Sequence, residues 1–349
     1  MSRVIVLGPG PDTAGGIGVM MGHLARTASD HSSLSFVESG GAPGSSAQRL
    51  RAFGRAMVTC WAPVADGTVY HVNLASNGST WRKLVLTSLL RVRRRPYVLH
   101  LHGGGYVDFL KNLNGVMAAI VRSMFRSASS VVVLGEFWRQ FVSAELGVAA
   151  RKLHVIPNAV PGPASVPNAK ATPTVLFTGK VTRAKGVIDL LHAWGSLPEH
   201  VRTHLVLAGD LHDPDGHITR LLEATPDVTT TGWLNGDQLK KELARASILV
   251  LPSHMENLPL SLLDGMAWGL APVVTDVGSV SDVIEGGDSG WIVPVEAPRE
   301  LANAMEVLLG DTGRREAIAQ AARSRWEKQY DIAHYRRRLE DVYRQVRTG

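Results

Sequence analysis

The chain has 349 residues, with 37 lysines and arginines against 31 aspartates and glutamates, so its formal net charge at pH 7 is +6. Hydrophobic residues make up 45% of the chain and charged residues 19%, a balance that excludes a disordered or fibrous protein. At about 150 residues per domain, the length predicts roughly two domains. The single cysteine, Cys60, excludes a disulfide scaffold and a cysteine-based metal cluster, and it favours a reducing compartment.

The hydropathy pattern bears on where the chain resides. Residues 1–8 contain too short an apolar run for a signal peptide, and no uninterrupted run of about 18 apolar residues occurs. We therefore expect neither a leader nor a membrane-spanning helix. The positive net charge favours an anionic partner and leaves phosphate, lipid head groups and nucleic acid open.

Short β-branched runs alternate with longer amphipathic stretches in both halves of the chain. The predicted strands are 4–7, 69–72, 97–101 and 131–134 in the first half, and 174–178, 203–208, 228–230, 248–251, 273–275 and 291–293 in the second. Residues 160–173 carry four prolines in fourteen positions, which indicates a linker between the halves. Strands that alternate with helices predict two parallel sheets, with a ligand cleft between their carboxyl ends.

A glycine-rich loop, residues 8–16, separates the first predicted strand from a helix predicted at 17–28. Its glycines, Gly15 and Gly16 among them, let backbone N–H groups approach an anionic or polar ligand closely. The loop is similar to a dinucleotide-binding fingerprint, and Glu38 lies about twenty residues further on. Thr13 stands where the third glycine of that fingerprint belongs, so the pattern is weak evidence for a dinucleotide cofactor.

The strand predicted at 97–101 runs on into three glycines at 103–105. By alternation His100 and His102 face the same side of this strand, with His102 at its carboxyl end. A histidine so placed is either hydrogen-bonded within the core or positioned at the ligand cleft, and the pattern leaves both interpretations open.

Two lysines precede the first predicted helix of the second half. Lys180 follows the strand predicted at 174–178, and Lys185 stands directly before Gly186, where the helix begins. Positive side chains at a helix N-terminus oppose the helix dipole unless an anion binds there. The pattern favours a phosphate site, and solvated surface lysines are the alternative.

Two acids stand eight residues apart around the start of a later helix. Pro259 suits the first turn of this helix and Gly269 suits its C-terminal cap. Glu256 then lies in the preceding loop, and Asp264 lies beside the buried face. That predicted face consists of Leu260, Leu263 and Ala267. An acid at this position is either capped locally or hydrogen-bonded to the hydroxyl groups of a ligand.

A helix-like stretch at 79–95 ends in a cluster of arginines: Arg91, Arg93, Arg94 and Arg95. Its apolar residues form a stripe that we interpret as core-facing: Trp81, Leu84, Val85, Leu89 and Val92. Clustered like charges repel one another in the absence of an anionic surface. We expect the arginines to contact acidic lipid head groups, and an ordinary solvated face is the alternative.

Taken together, these motifs resemble the retaining glycosyltransferases of the GT-B fold, specifically glycosyltransferase family 4. Members carry an acid-x7-acid motif, usually Glu-x7-Glu, which Glu256 and Asp264 match with Asp in the second position. The resemblance implies that Glu256 contacts the donor sugar and that Asp264 holds the ribose hydroxyls. Asn257 and Leu258, inside the motif, would also bind the donor. Lys180 and Lys185 match the positions that bind the donor diphosphate.

The resemblance also assigns roles in the first half of the chain. Gly15 and Gly16 match a Gly-Gly loop at the diphosphate and acceptor, and His102 matches a histidine that touches the donor sugar. Residues 156–158 look like the Pro-Asn motif of the family, and residues 277–282 look like its Gly-Gly-x-x-Glu loop. In that loop Asp282 replaces the usual Glu.

The implied fold is two Rossmann-like α/β/α domains that face each other across a cleft, with a C-terminal helix crossing back to the first domain. The implied N-terminal domain, residues 1–160, binds the acceptor, and residues 325–349 return to pack on it. Residues 161–173 form the linker, and residues 174–324 form the domain that binds the nucleotide-sugar donor.

The implied activity is that of a retaining hexosyltransferase, which moves a sugar from a UDP- or GDP-sugar to a glycan or lipid-linked acceptor. The implied setting is bacterial exopolysaccharide or lipopolysaccharide biosynthesis. We expect no cofactor and no metal, because the lysines neutralise the leaving diphosphate. We expect a cytoplasmic protein in peripheral contact with the acidic inner face of the cytoplasmic membrane.

Two other functions remain open at this point. Asp264 in place of Glu allows a catalytically weak or inactive partner protein that binds a nucleotide sugar. A sugar-nucleotide epimerase of the same fold would convert the donor without an acceptor. A nucleic-acid partner is not expected, because the clustered arginines have no interleaved aromatic residues.

Overall fold

The computed structural model describes residues 2–11, 13, 15–27, 29, 31–41, 44–166 and 172–348. The chain divides into two compact units, the first comprising Met1–Ala159 with Ile332–Gly349 and the second comprising Val160–Asp331. Each unit contains one six-stranded sheet in which the described strands pair in parallel. The prediction of an α/β chain with two parallel sheets is confirmed.

The first unit has the strand order β2-β1-β3-β4-β5-β6. Its strands are β1 (Ser2–Gly8), β2 (Ser32–Glu38), β3 (Val69–Leu74), β4 (Tyr97–Leu101), β5 (Ser130–Val133) and β6 (Leu153–Val155). Its helices before the second unit are α1 (Gly16–Ala25), α2 (Ser46–Trp61), α3 (Gly78–Val92), α4 (Tyr106–Lys111), α5 (Gly115–Arg126) and α6 (Glu136–Leu146). All residues of β3, β4 and β5 are buried, because helices cover both faces of a parallel sheet.

The second unit has the strand order β12-β11-β10-β7-β8-β9. Its strands are β7 (Thr174–Thr178), β8 (His204–Ala208), β9 (Val228–Gly232), β10 (Ile248–Leu251), β11 (Ala271–Thr275) and β12 (Trp291–Val293). Its helices are α7 (Val187–Ser196), α8 (His217–Ala224), α9 (Gly236–Arg245), α10 (Leu260–Ala267), α11 (Val280–Val283), α12 (Pro298–Gly310) and α13 (Thr312–Gln329). The last helix of the chain, α14 (Ile332–Thr348), belongs to the first unit.

The return to the first unit begins at Ile332 rather than at residue 325, because the end of α13 is bonded within the second unit. There the indole Nε1 of Trp326 donates a hydrogen bond to the carbonyl of Val160 at 3.2 Å. The helical pattern from 325 to 346 is therefore two helices, which are separated at Tyr330 and Asp331.

The described part of the predicted linker, 161–166 and 172–173, lies in the second unit, and residues 167–171 lie outside the described residues. Nη2 of Arg323 donates to the carbonyl of Pro163 at 2.9 Å. A side chain at Gly162 would place its Cβ 2.5 Å from the ring of Trp326. The first residues after the first unit are thus packed against α13.

The buried face of α3 differs from the predicted apolar stripe. Its buried residues are Thr80, Lys83, Leu86, Thr87 and Leu90. Trp81, Leu84 and Leu89 are half-buried and pack against the core of the first unit, as predicted. Val85 is 43% exposed and Val92 is 70% exposed, so the prediction is wrong for these two residues. The fully buried positions of α3 include three polar side chains, because these find hydrogen-bond partners inside the unit.

A buried ion pair fixes α14 to the sheet of the first unit. Nε of Arg336 donates to Oε1 of Glu340 at 2.8 Å, and both side chains are only 6% exposed. The same carboxylate oxygen accepts from the hydroxyl of Ser32 at 2.9 Å, and Nη2 of Arg336 donates to the carbonyl of Ser32 at 2.7 Å. These bonds satisfy charges that would otherwise be expensive to bury.

Candidate functional site

In the second unit, a turn between β7 and α7 brings a lysine against an acid. Gly186 has a φ of +68°, and a Cβ at this position would lie 1.8 Å from the carbonyl oxygen of Pro252, so only glycine allows this approach. The close packing places Nζ of Lys185 in contact with Oε1 of Glu256. The hydroxyl of Ser253 donates to the same carboxylate oxygen at 3.1 Å. Two residues that are 71 positions apart thus form one charged, partly exposed pair.

A second pair ties the same turn to the loop after β10. Nε2 of His254 lies 2.7 Å from Oδ2 of Asp189, in the first turn of α7. The backbone N–H of His254 donates to the carbonyl of Ala184 at 3.0 Å. The motifs did not identify either side chain, and a separation of 65 positions leaves no local pattern that joins them.

The loop that follows β11 packs directly on the acidic motif. A Cβ at Gly278 would lie 2.4 Å from the carbonyl oxygens of both Glu256 and Asn257. The N–H of Ser279 donates to the carbonyl of Asn257 at 2.7 Å. This is the segment that resembles the Gly-Gly-x-x-Glu loop, and it holds the backbone of the motif in place. Asn257 and Leu258 are both buried, at 6% and 4% exposure.

The second acid of the motif lies on α10. The helix begins after Pro259, which takes the N-cap position rather than the first turn, and Gly269 follows its end with a φ of +66°. Asp264 is half-buried, and burial raises the pKa of its carboxyl group to about 7. Among the described residues, no side chain or N–H donates a hydrogen bond to this carboxyl group. The interpretation that Asp264 is capped locally is therefore not supported. Buried beside it are Leu262 and Leu263, whereas Leu260 is half-buried.

The structure separates the environments of the two predicted phosphate-binding lysines. Lys180 follows β7 and Gly179, and its side chain is exposed. In the described part of the chain it forms no ion pair, whereas Lys185 contacts Glu256. Gly209 sits under this turn, where a Cβ would lie 1.8 Å from the carbonyl oxygen of Gly179. The turn that carries Lys180 therefore packs closely on the end of β8.

In the first unit, His102 follows β4 and is held by an asparagine of β3. Its Nε2 lies 2.9 Å from Oδ1 of Asn73, and its N–H donates to the carbonyl of Leu74 at 2.8 Å. Because Oδ1 only accepts, Nε2 carries the proton and Nδ1 is left with its lone pair. Burial lowers the pKa of His102 to about 3, so the ring is neutral. The motifs did not identify Asn73, although a polar residue in an otherwise apolar buried strand is a signal that could have found it.

Two further histidines extend this network to the last helix. Nε2 of His71 lies 3.2 Å from both Oδ1 of Asn73 and Nδ1 of His100. The hydroxyl of Tyr343, on α14, lies 2.7 Å from Nδ1 of His71. Burial lowers the pKa of His71 to about 4 and that of His100 well below its usual range. His100 is thus a core residue, which is one of the two interpretations that the sequence left open.

Gly15 and Gly16 lie at the start of α1, and both are exposed. A Cβ at either position would meet no described atom within 4 Å, so the space beside them is open. The close approach in this loop occurs instead at Gly18, where a Cβ would lie 2.0 Å from the carbonyl oxygen of Thr13. Residues 12 and 14 of the loop lie outside the described residues.

The arginine cluster lies at the end of α3, and its members differ in exposure. Arg91, Arg93 and Arg94 are exposed, and the guanidinium of Arg93 lies 5.2 Å from the ring centre of Trp61. Arg95 is half-buried, and its Nη2 donates to the carbonyl of Ala62 at 2.9 Å. Three arginines are therefore available at the surface, while Arg95 joins α3 to the end of α2.

The described residues contain neither a cluster of metal-ligating side chains nor a membrane-spanning helix. Within the described ranges, histidine, cysteine, aspartate and glutamate form no group of three or more that could hold a metal ion. No helix of the described part of the chain is both long enough and apolar enough to cross a membrane.

Comparison with known proteins joins these sites to one family. The model of glycosyl transferases group 1 matches residues 163–325, and that of the glycosyl transferase 4-like domain matches residues 33–159. The alpha-D-kanosaminyltransferase of Streptomyces kanamyceticus is 31% identical over 179 residues, which cover 50% of this chain and 46% of that protein. This chain therefore spans about half the length of that curated relative.

Solved structures show the same fold. Sucrose-phosphate synthase from Thermosynechococcus elongatus superposes with a TM-score of 0.77 at 17% identity, covering 99% of each chain. Anabaena Alr3699/HepE in complex with UDP superposes with a TM-score of 0.74 at 17% identity, covering 98% of this chain and 99% of that one. The fold is thus the GT-B fold, and the chain belongs to the group 1 glycosyltransferases of the family 4 type.

Proposed function

We propose that the chain is a retaining glycosyltransferase that moves a hexose from a UDP- or GDP-sugar to a glycan or lipid-linked acceptor. We place this reaction in bacterial surface polysaccharide assembly. The observation that carries the proposal is the contact between Lys185 and Glu256. Asp264, the second acid of the same motif, accepts no hydrogen bond from the described residues. Support also comes from Alr3699/HepE, a structural relative whose solved structures contain UDP and UDP-glucose.

In this proposal the donor spans the second unit. Glu256 contacts the sugar, the carboxylate of Asp264 accepts hydrogen bonds from the ribose hydroxyls, and Asn257 and Leu258 line the donor site. Lys180 and Lys185 bind the diphosphate. As the glycosidic bond breaks, negative charge grows on the departing diphosphate, and the two ammonium groups stabilise it. Such stabilisation is available without a metal ion, so we propose a metal-independent reaction, whose rate a chelator should leave unchanged.

The residues of the first unit have supporting roles in the proposal. The lone pair on Nδ1 of His102 accepts a hydrogen bond from a sugar hydroxyl, because Asn73 holds the proton on Nε2. A histidine with so low a pKa is a poor general base at neutral pH. We therefore assign the removal of the acceptor's proton to an oxygen of the departing diphosphate. Gly15 and Gly16 present backbone N–H groups to the diphosphate and acceptor from an open surface.

Donor hydrolysis tests this proposal without knowledge of the acceptor. Purified chain is incubated with UDP- and GDP-sugars, and the release of nucleoside diphosphate is measured for the wild type, Glu256→Gln, Lys185→Ala and Lys240→Ala. Lys240 is an exposed lysine of α9 and serves as the matched control. We expect one donor to be hydrolysed, with a loss of about 10²-fold or more in the first two variants and no change in the control.

Three other results of this experiment would contradict the proposal. Tight donor binding without hydrolysis, with or without candidate acceptors, would indicate a nucleotide-sugar-binding partner and overturn the proposal. Conversion of the donor to an isomeric nucleotide sugar would indicate an epimerase. Equal hydrolysis in all three variants would show that Lys185 and Glu256 do not contribute to the reaction.

For cellular location, we propose peripheral contact of the first unit with an acidic membrane from the cytoplasmic side. An apolar groove lies between α2 and α3, and its lining is Met57, Val58, Trp61, Ala62 and Leu89. The guanidinium of Arg93 lies 5.2 Å from the ring centre of Trp61 in this groove, and Arg91 and Arg94 are exposed near it in the sequence. Apolar and cationic groups thus occur together, as on other lipid-binding surfaces. The expected result is sedimentation with vesicles of acidic lipid but not of neutral lipid. Equal binding to both would contradict the proposal.

A further inference from the structure

Positive side chains without acidic partners gather where α3 begins, in the first unit. Arg82 and Lys83 lie near the start of this helix, and Arg49 lies on α2. In the described part of the chain, no aspartate or glutamate forms an ion pair with any of the three. Burial, followed by the charge of Arg49, lowers the pKa of Arg82. Such an arrangement is unfavourable unless an anion offsets it.

The helix itself adds to this positive charge. The first turn of α3 contains no acidic residue, and its N-cap, Asn77, makes no side-chain hydrogen bond to the helix. The partial positive charge of a helix N-terminus therefore adds to the charges of Arg82 and Lys83. An acid in the first turn, which commonly balances this end of a helix, is missing from α3.

The guanidinium of Arg82 borders an open notch between two exposed glycines. A Cβ at Gly41 would lie 3.1 Å from Nη2 of Arg82, and a Cβ at Gly78 would lie 3.3 Å from Nη1. Apart from each glycine's chain neighbours, no described residue other than Arg82 comes within 4 Å of either position. Meanwhile Nε of Arg82 is buried and has no hydrogen-bond partner in the described structure. The two terminal nitrogens thus lie next to two glycines that no other described side chain covers, on a side chain whose Nε is buried.

Lys83 follows Arg82 on α3 and is 1% exposed. Its Nζ donates to the hydroxyl of Ser39, the residue directly after β2. Burial, followed by the charge of Arg82, lowers the pKa of Lys83 to about 7. An anion in front of the two side chains would favour both charged forms and relieve this opposition.

We propose that this notch, bordered by Arg82, Gly41 and Gly78, is a binding site for a phosphate group. The two terminal nitrogens of an arginine match two phosphate oxygens, and backbone N–H groups at a helix N-terminus add to the same site. The assignment of this phosphate to the acceptor rests on the proposed function, whereas the site itself does not. The assignment adds a phosphate group to the glycan or lipid-linked acceptor of that function.

This notch is distinct from the arginine cluster at the other end of α3. Nine residues separate Arg82 from Arg91, which corresponds to roughly 14 Å along the helix axis at 1.5 Å per residue. Arg91 is exposed and lies in the last turn, where a positive charge is favourable. It therefore provides a control for general effects of a cation on the same helix.

The test is thermal unfolding during titration with inorganic phosphate, with sodium chloride added to keep the ionic strength constant. The wild type is compared with Arg82→Gln, Arg82→Lys, Arg91→Gln and Lys185→Ala. We expect phosphate to raise the Tm of the wild type and of Arg91→Gln equally, and to act on Arg82→Gln with an apparent affinity at least about tenfold weaker. Arg82→Lys, which keeps the charge but loses the second nitrogen, should lie between the wild type and Arg82→Gln. Lys185→Ala measures how much of the response comes from phosphate bound in the second unit. Circular dichroism confirms that each variant is folded.

Two results of this titration would overturn the site. A phosphate response that disappears in Lys185→Ala and persists in Arg82→Gln would place the anion in the second unit. A Tm that rises no more with phosphate than with chloride, in the wild type, would show that the notch binds no phosphate. Because no donor is present, a protein that fails to hydrolyse any nucleotide sugar and still shows the Arg82-dependent response refutes the proposed function and keeps the site.

The source of the phosphate is tested with a hexose 1-phosphate and with vesicles that contain phosphatidylglycerol. An acceptor site predicts an Arg82-dependent rise in Tm with the hexose 1-phosphate, and vesicle binding that Arg82→Gln leaves unchanged. If the hexose 1-phosphate has no effect and Arg82→Gln abolishes vesicle binding, the notch binds a lipid head group and the assignment to the acceptor is wrong.

Discussion

The histidine network of the first unit and the charged pair of the second unit lie in different electrostatic environments. In the first unit, His71, His100 and His102 form a buried network in which burial keeps the rings neutral. In the second unit, the side chains of Lys185 and Glu256 are 31% and 17% exposed and form a charged pair. The first arrangement suits side chains that hold one another in a fixed orientation. The second leaves charged groups within reach of solvent and of a ligand.

This difference follows from where the residues lie in each unit. His71 and His100 lie within fully buried strands, and α14 covers them with Tyr343. Lys185 ends a short 3₁₀ helix (Arg183–Lys185) after β7, and Glu256 lies in the loop after β10. Backbone contacts fix the chain there but leave both side chains partly exposed. Polar groups inside a sheet must find partners within the protein, whereas polar groups at the ends of strands remain available to ligands. The following predictions test this contrast, from the largest expected effect to the smallest.

The largest expected effect concerns a second buried polar group of the first unit, the ion pair of α14. Glu340→Gln removes the charge that balances Arg336, and both side chains are 6% exposed. A buried cation without its partner destabilises a protein by about 3–5 kcal/mol. We expect a loss of this size in the free energy of unfolding, measured by urea denaturation.

The matched control for this change lies on the same helix. Asp341 pairs with Arg344 across one turn of α14, and the two side chains are 60% and 62% exposed. Asp341→Asn should lower the free energy of unfolding by less than about 1 kcal/mol. If the two variants were equally stable, the buried pair would not be what attaches α14 to the first unit.

The neutral histidines predict a loss of stability in acid. The pKa of His71 is about 4 in the folded chain, against 6.5 for an unperturbed histidine. Between these values the unfolded chain binds more protons, so the free energy of unfolding falls as the pH falls from 6.5 to 4. The contribution of His71 to this fall is about 3 kcal/mol.

The comparison that isolates this effect uses His71→Gln. Glutamine keeps a polar side chain next to Asn73, His100 and Tyr343 but does not titrate, so the variant should lose less stability over this pH range than the wild type. Parallel pH dependences in urea denaturation would mean that His71 is not held neutral by burial.

The smallest expected effect concerns Asp264. Burial raises the pKa of this carboxyl group to about 7, so it is mainly protonated below that pH and mainly ionised above it. A carboxylate accepts both hydroxyls of a ribose, whereas the protonated acid has fewer acceptor sites. The preference for a ribonucleoside diphosphate over its 2′,3′-dideoxy form should therefore rise about tenfold from pH 6 to pH 8.

The ratio of the two affinities cancels the titration of the phosphate groups themselves, because both ligands carry the same diphosphate. Asp264→Asn should bind with a ratio that does not change with pH. If the ratio of affinities for the wild type were also independent of pH, Asp264 would not bind the ribose hydroxyls.

The sequence predicted most of the fold, and the exceptions have physical reasons. The strands at 97–101, 174–178, 248–251 and 291–293 match β4, β7, β10 and β12 residue for residue. β2 was missed because three serines interrupt its apolar pattern. Only its first residue is buried, and the other six are half-buried or exposed. β6 was missed because it has only three residues, one of them a histidine, and none of them is fully buried.

The candidate site was less predictable, because its contacts join distant parts of the chain. The spacing of Glu256 and Asp264 was visible in the sequence, but the partner of Glu256 lies 71 positions away. Lys83 stands in an amphipathic helix next to Arg82, and no local pattern distinguishes the buried lysine from its more exposed neighbour. Only the packing of α3 against the sheet determines which of the two is enclosed.

The central claim is that the second unit holds a diphosphate between Lys180 and Lys185. Calorimetric titration of UDP and of GDP into the wild type, Lys180→Ala, Lys185→Ala and Lys240→Ala tests it most directly. The account predicts that one nucleotide binds the wild type and Lys240→Ala equally, and binds each of the other variants about tenfold more weakly or worse. Equal affinity in all four proteins, or no binding of either nucleotide to the wild type, would contradict it.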